Sequence, residues 1–296
     1  MTLWKSIVCH TILTLFWMSA LEAQQLDKPA YRLFDSNGQE SNYAALLKEA
    51  VKADVVLFGE LHNNPICHWL QIELAQDLHQ ARENALVLGG EMFEADDQLA
   101  LNEYLTGLLS DANFESETKI WTNYKTDYKP LIAFAAQKQL PFIATNIPRR
   151  YASMVSRSGL EVLEKLPSEV RQWIAPLPIV VDLSLPGYAQ MMEMMQGHGG
   201  GMKAANFAQA QAIKDATMAH RILANWHKDK TFLHFNGAYH SDNHEGIVWY
   251  LRKQAPKLKI LTISTVEQAS IQTLQEDAKQ KADFIIATPN TMTKTY

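Results

Sequence analysis

From Asp54 onward, short apolar or β-branched runs alternate with longer amphipathic stretches. The runs Val55–Phe58, Ala85–Gly89, Pro141–Thr145, Thr231–Phe235, Lys259–Ser264 and Asp283–Thr288 read as strands. Several are apolar almost throughout, the pattern of parallel strands covered on both faces. Between them, Trp69, Ile72, Leu74 and Leu78, and again Leu131, Phe134 and Ala135, recur as on one side of a helix. This alternation predicts an α/β fold with a mostly parallel central sheet flanked by helices. No fixed-period repeat is present, which argues against a solenoid.

Residues 153 to 230 break the alternation. Their pattern is helical over Gly159–Leu166, Pro186–Gln196 and Ala204–His227, which predicts a helical insertion or lid on the sheet. Within it, the segment from Met191 to Met202 is dense in Met and Gly, so a helix is expected to end there in a loop. At the other end, Lys5 precedes an apolar stretch from Ile7 to Leu21 that turns polar at Glu22-Ala23-Gln24-Gln25. That arrangement reads as a secretory signal peptide over residues 1–23, since the stretch is short of the roughly 20 apolar residues of a spanning helix. Export and a single domain over residues 24–296 follow as expectations.

Composition narrows the function. The chain has 296 residues, 47% of them hydrophobic, enough for one large core. Lys and Arg total 27 against 32 Asp and Glu, a net charge of −5 that supplies no basic footprint for nucleic acid. Two cysteines exclude a disulfide scaffold and a four-cysteine metal site. Removal of the signal peptide takes away Cys9 and leaves Cys67 alone, so stability must come from packing.

Candidate chemistry gathers at predicted strand ends, where ligands bind in parallel α/β sheets. Gly59-Glu60-Leu61-His62 follows the first strand; Glu91 follows the second; Gly237-Ala238-Tyr239-His240 follows the fourth. Glu60, His62, Glu91 and His240 are therefore expected to share one site, as acid–base groups or as ligands of a divalent metal. His244 would join the face of His240 if a helix began there. After the third strand, Arg149 and Arg150 can hold a carboxylate or phosphate, with Tyr151 beside them.

The tetrad His198-Gly199-Gly200-Gly201 looks like an esterase oxyanion loop, but no Gly-x-Ser-x-Gly nucleophile turn accompanies it. The methionines at 191, 192, 194 and 195 read as a buried or lid-like helix rather than a copper site. A phosphate loop, a dinucleotide-binding turn, a His-Glu-x-x-His helix and a Cys-x-x-Cys-His haem attachment are all absent.

Taken in order, Gly59-Glu60-Leu61-His62, Gly90-Glu91-Met92-Phe93, Asn146-Ile147-Pro148-Arg149, the Pro186-Gly187-Tyr188 to His198-Gly199 region, the stretch Ala208 to Ala219 and Gly237-Ala238-Tyr239-His240 resemble the ChaN-like haem-binding uptake family. That family lies in the superfamily of Tiki and TraB proteins and erythromycin esterases. The resemblance implies an exported, iron-regulated protein at the cell envelope that binds haem non-covalently beside an outer-membrane haem receptor. It further implies a haem pair held between two protomers, with tyrosine oxygen on iron and basic side chains on the propionates. Tyr151, ahead of Tyr188, is then the expected iron ligand, His198 and Lys203 are the expected propionate partners, and Arg149 is a further cofactor-binding residue. A well-placed lipobox cysteine, found in lipoprotein members, is missing. The superfamily also implies the alternative, a Glu/His-dependent hydrolase of esters or peptides acting through Glu60, His62, Glu91 and His240.

Overall fold

The computed structural model describes residues 28–82, 85–196 and 204–296. The signal-peptide segment 1–23 lies outside these residues, as do His198 and Lys203.

Eight strands form one sheet in the order β2-β1-β8-β7-β3-β6-β4-β5. They are β1 (Arg32–Asp35), β2 (Glu40–Ser41), β3 (Val55–Glu60), β4 (Leu86–Glu94), β5 (Phe142–Asn146), β6 (Thr231–Gly237), β7 (Ile260–Gln268) and β8 (Phe284–Pro289). β3 to β8 run parallel, while β1 pairs antiparallel with β8 and with β2. The antiparallel pair β1–β2 precedes Asp54, outside the alternation that reveals the parallel strands. The helices are α1 (Tyr43–Ala50), α2 (Pro65–Arg82), α3 (Gln98–Leu105), α4 (Asp111–Glu117), α5 (Lys129–Gln137), α6 (Arg149–Ser158), α7 (Pro186–Gln196), α8 (Ala204–Asn225) and α9 (Ile247–Gln254).

The strands are apolar on both faces because both are covered. Val56, Phe58, Leu88, Leu233 and Phe235 point into a core shared with α2 and α5. The alternate residues Val55, Leu57, Val87 and Phe232 meet α8 and α9 on the opposite face. The long connection from β5 to β6 is helical as expected, but its parts divide the work. α8 covers the sheet through Ala216, Ala219 and Ile222, whereas Met191 of α7 borders a cleft at the carboxyl edge. The β5 edge is closed by side chains: the Gln98 amide donates to Phe142 O (3.0 Å) and accepts from Ala144 N (2.8 Å), and Arg221 Nε donates to Ala144 O (2.5 Å).

The β3-to-α2 turn is fixed locally. Asn64 accepts from the backbone amides of Ile66 (3.0 Å) and Cys67 (3.3 Å), and Pro65 opens the helix, where a missing N–H costs nothing. Gly59 is required by close approach, because a Cβ there would lie 2.8 Å from Ile263 O and 2.9 Å from Ala238 Cα. The glycine therefore allows β3, β7 and the turn after β6 to converge.

Phe235 is fully buried, with ring centroids 6.4 Å from both Phe58 and Phe142. Phe235→Ala is expected to cost about 3–5 kcal/mol in equilibrium denaturant unfolding. A loss under about 1 kcal/mol would show that this core closes around the cavity without penalty.

Candidate functional site

Glu60 ends β3 with its carboxylate buried and fully engaged. Its Oε1 accepts from the Tyr128 hydroxyl (2.5 Å) and faces His62 Nδ1 (2.8 Å), and its Oε2 accepts from Gln71 Nε2 (2.5 Å). Burial pushes the carboxyl upward, but the His62 hydrogen bond, the charges of His68 and His62 and the Tyr128 hydroxyl hold it below the ordinary carboxylate range. Tyr128 reaches this carboxylate from a single π-helical turn over Tyr124–Tyr128, a form often found at functional sites. The backbone carbonyl of His62 is also held, accepting from His68 Nε2 (3.0 Å) and Asn123 Nδ2 (2.8 Å).

The His62 ring packs edge-on to Trp121 at 4.9 Å and keeps 39% of its side chain exposed. Its other edge lies against Gly237, where a Cβ would stand 2.9 Å from Cε1 and 3.0 Å from Nε2. The glycine of the Gly-Ala-Tyr-His segment thus makes room for the histidine of the Gly-Glu-Leu-His segment. Burial disfavours the charged His62 ring, but the bond to Glu60 and the Glu91 charge raise its pKa above the ordinary value.

Behind His62 runs a buried chain of charges. Glu91 of β4 accepts the Gly237 N–H (2.8 Å) and meets His240 Nε2 at 3.2 Å. His240 Nδ1 meets Asp215 of α8 at 2.6 Å, and Asp215 accepts the Tyr188 hydroxyl (2.5 Å). Burial would strip the proton from His240, but the charges of Glu91 and Asp215 and their hydrogen bonds push its pKa up to about 10. Burial likewise opposes a charged Glu91, and the charge of His240 outweighs it, holding this carboxyl far below its ordinary value.

Of these groups Glu60, His62, Gly237 and His240 line a cleft of about 750 Å³ at the sheet's carboxyl edge, with Glu91 and Asp215 behind them. Met191, Met194 and Met195 of α7, with Phe207, Tyr239 and Tyr296, supply the largely apolar part of its lining. The first turn of α7 is tied to the site: Gly187 N donates to Glu245 (2.7 Å), and the Tyr239 hydroxyl donates to the Gly187 carbonyl.

The sequence-derived set Glu60, His62, Glu91 and His240 is thus brought together, but as paired acid–base groups. Among the described residues, no cluster of three or more His, Cys, Asp or Glu has the arrangement of a metal site. The physical reason is that each carboxylate already spends its oxygens on a histidine and on neighbouring donors. His240 and His244 do not share a helix face. Asn243 and His244 take left-handed backbone angles (φ 58° and 57°), and His244 turns to Asp283 (3.3 Å) and Thr262 (3.2 Å).

Tyr151 lies away from the cleft, buried in a core with Ile147, Leu163 and Ile174, its hydroxyl accepting from Arg150 (3.2 Å). Arg150 pairs with Asp96 at 2.6 Å, and Arg149 stands 3.8 Å from Glu94 in a separate hollow shared with Lys119. Tyr188 lies nearer, but its buried hydroxyl belongs to Asp215. The cleft-lining phenols are instead Tyr239 and Tyr296, 39% and 65% exposed, which strand-end reasoning did not select. Tyr239 had a signal, since it precedes His240; Tyr296 had none.

The sequence profile of the haem-binding uptake family, Tiki superfamily, ChaN, matches residues 46–251. The chain belongs to this family. Every polar group of the buried chain, from Glu60 to His240, falls within the matched span. A search of curated proteins finds no match. Among solved structures, the chain is similar to ChaN of Campylobacter jejuni, which binds haem cofacially, with a TM-score of 0.66 and 16% identity over 88% of this chain and 97% of that one. It is also similar to the erythromycin esterase EreC (TM-score 0.48, 11% identity, 88% and 98% covered) and to the type III effector HopBA1 (0.45, 13%, 82% and 91%). The first of these likenesses places the family's α/β fold on this chain.

The raised pKa of His240 fixes a pH dependence. Its pairing is fully present below the unfolded value, roughly pH 6.5, and is lost as pH rises through the folded value of about 10. Unfolding measured between about pH 6 and pH 10 should show stability falling toward alkali. His240→Gln should flatten that slope and cost about 3–5 kcal/mol near pH 6, because it leaves two buried carboxylates without their cation. An unaltered slope in this variant would assign the alkaline loss to another group.

Proposed function

We propose that this protein binds haem non-covalently in the cleft and serves haem uptake as an exported component of the bacterial cell envelope. The observation that carries the reading is the cleft itself, whose lining residues, Tyr296 apart, all fall within the span that matches the haem-binding family. Its volume falls in the roughly 300–1,000 Å³ range of cofactor pockets. The thioethers and rings of Met191, Met195, Phe207 and Tyr239 suit an apolar macrocycle, and phenols are hard oxygen donors suited to ferric iron. Tyr296, and Tyr239 once its hydroxyl leaves the Gly187 carbonyl, are the exposed cleft-lining phenols that fit that task, in place of Tyr151 and Tyr188, which are buried. The family supports two further parts of the proposal: a pair of copies enclosing haem, and an outer-membrane haem receptor as the partner.

Haem titration of the purified protein is expected to give a saturable Soret shift, with a change in sedimentation if two copies close over the ligand. Tyr239→Phe combined with Tyr296→Phe should alter the ferric spectrum, while Tyr151→Phe should leave it unchanged. No Soret shift in the unmodified protein would overturn the reading. A shift indifferent to the double change would remove these two tyrosines as ligands.

A second reading, an ester or peptide hydrolase, is favoured by the Glu60–His62 pair. Glu60 fixes Nδ1 of an imidazole that stays partly open to the cleft, which is how a carboxylate orients a histidine base. The charged His240 nearby can balance negative charge that develops on a reacting oxygen. If the protein hydrolyses p-nitrophenyl acetate, Glu60→Gln and His62→Ala should each lower kcat at least about a hundredfold with the fold intact by circular dichroism. Turnover persisting in both variants would dismiss this site as the catalyst.

A further inference from the structure

The hollow beside the start of α6 is used by neither reading. Glu94 at the end of β4, Lys119 just after α4, and Arg149, Arg150 and Ser153 of α6 line a space of about 410 Å³. None of these residues lines the haem cleft. The volume lies toward the small end of ligand pockets.

Most charges around the hollow are already met. Lys119 Nζ faces Asp97 (2.8 Å), Asp96 (3.2 Å) and Glu94 Oε2 (3.5 Å). Arg150 pairs with Asp96 (2.6 Å), donates to the Tyr151 hydroxyl (3.2 Å) and lies over the rings of Tyr151 and Trp173. Two groups are met less well. The Arg149 side chain is 74% exposed, and Glu94 Oε1 stands 3.8 Å from its Nε, beyond hydrogen-bond reach. Glu94 is the reverse case: only 7% of its side chain is exposed, yet Oε2 accepts no hydrogen bond. Burial lifts its pKa above the ordinary carboxylate value, and the Arg149 backbone N–H and the Lys119 charge offset only part of that rise. A buried carboxylate oxygen without a donor is costly to keep.

The guanidinium and the carboxylate are opposite in charge and adjacent, so a ligand that satisfies both must carry an anion and a donor cation on neighbouring carbons. A simple anion fits worse. The three cations of the hollow face the carboxylates of Glu94, Asp96 and Asp97, which leaves no excess of positive charge, and Glu94 itself would repel it. A simple ammonium ion would leave Arg149 without a partner.

We propose that this hollow binds a free α-amino acid, with its carboxylate on the Arg149 guanidinium and its ammonium on Glu94 Oε2. The guanidinium suits the first contact because it can grip a carboxylate with two parallel hydrogen bonds. Binding involves no covalent step, and it rests on neither the haem reading nor the hydrolase reading.

Calorimetric titration of the haem-free protein with glycine, L-alanine and L-glutamine is expected to show saturable binding of at least one of them, at one site per chain. Acetate and methylammonium each carry half of the charge pattern and should bind at least about tenfold more weakly, as should inorganic phosphate. Arg149→Ala changes an exposed side chain and should weaken amino-acid binding at least about tenfold with the fold intact by circular dichroism. Glu94→Gln, which keeps the shape and removes the charge, should do the same. Haem titration of Arg149→Ala should keep the Soret shift of the unmodified protein, since hollow and cleft share no lining residue. Failure of all three amino acids to bind, binding indifferent to either substitution, or phosphate binding as tightly as the amino acid would each overturn the assignment. Loss of the Soret shift in Arg149→Ala would give that guanidinium to haem and overturn it as well. Because the amino-acid titrations use haem-free protein, they decide the matter whether or not the haem reading stands.

Discussion

The pairing of His240 with Glu91 and Asp215 is the constraint on which the carboxyl edge of this protein is built. Neither carboxylate reaches water, and each would be strongly disfavoured there without a charged partner. A single imidazolium satisfies both, one through each ring nitrogen. That requirement fixes three elements at once: β4 through Glu91, α8 through Asp215, and the turn after β6 through His240. The Tyr188 hydroxyl extends the linkage to α7, so the wall of the cleft is fastened to its charged interior.

The cleft therefore joins two chemistries that seldom mix. One side is a hydrogen-bonded array of carboxylates and imidazoles with few donors or acceptors left to offer. The other is sulfur and aromatic carbon. A ligand that enters gains little from the acidic side except through the open edge of His62, and most of its contact area must come from α7, Phe207 and the tyrosines. This asymmetry suits a flat apolar ligand better than a metal aqua-ion. It also explains why four residues that look like a metal set in the sequence do not assemble as one.

The sheet was legible because its strands are nearly unbroken apolar runs, and the strand-end rule correctly converged Glu60, His62, Glu91 and His240. What the sequence withheld was contact at long range. Tyr128 and Gln71 complete the shell of Glu60 from a π-helical turn and from the middle of α2, and no local pattern marks either as its partner. Asp215 lies in a stretch that carries the family likeness, but its role needs α8 to pass beside His240. Tyr151 shows the same limit: its arginine neighbour reads as an anion site, while in the fold that arginine pairs with Asp96 and stacks over the tyrosine ring at 4.5 Å. The antiparallel pair β1–β2 escaped because two-residue β2 is too short to show a period.

The capped edge of β5 bears on how copies of the protein can meet. An open outer strand offers its amides and carbonyls to any extended chain, and stacking of sheets edge to edge is the usual hazard. Here the Gln98 amide and the Arg221 guanidinium already occupy the outward groups of Phe142 and Ala144, standing in for a ninth strand. At the far edge β2 is two residues long. The backbone is thus closed to polymerisation along the sheet, and self-association is steered away from strand pairing toward surfaces where side chains, not main chain, make the contact.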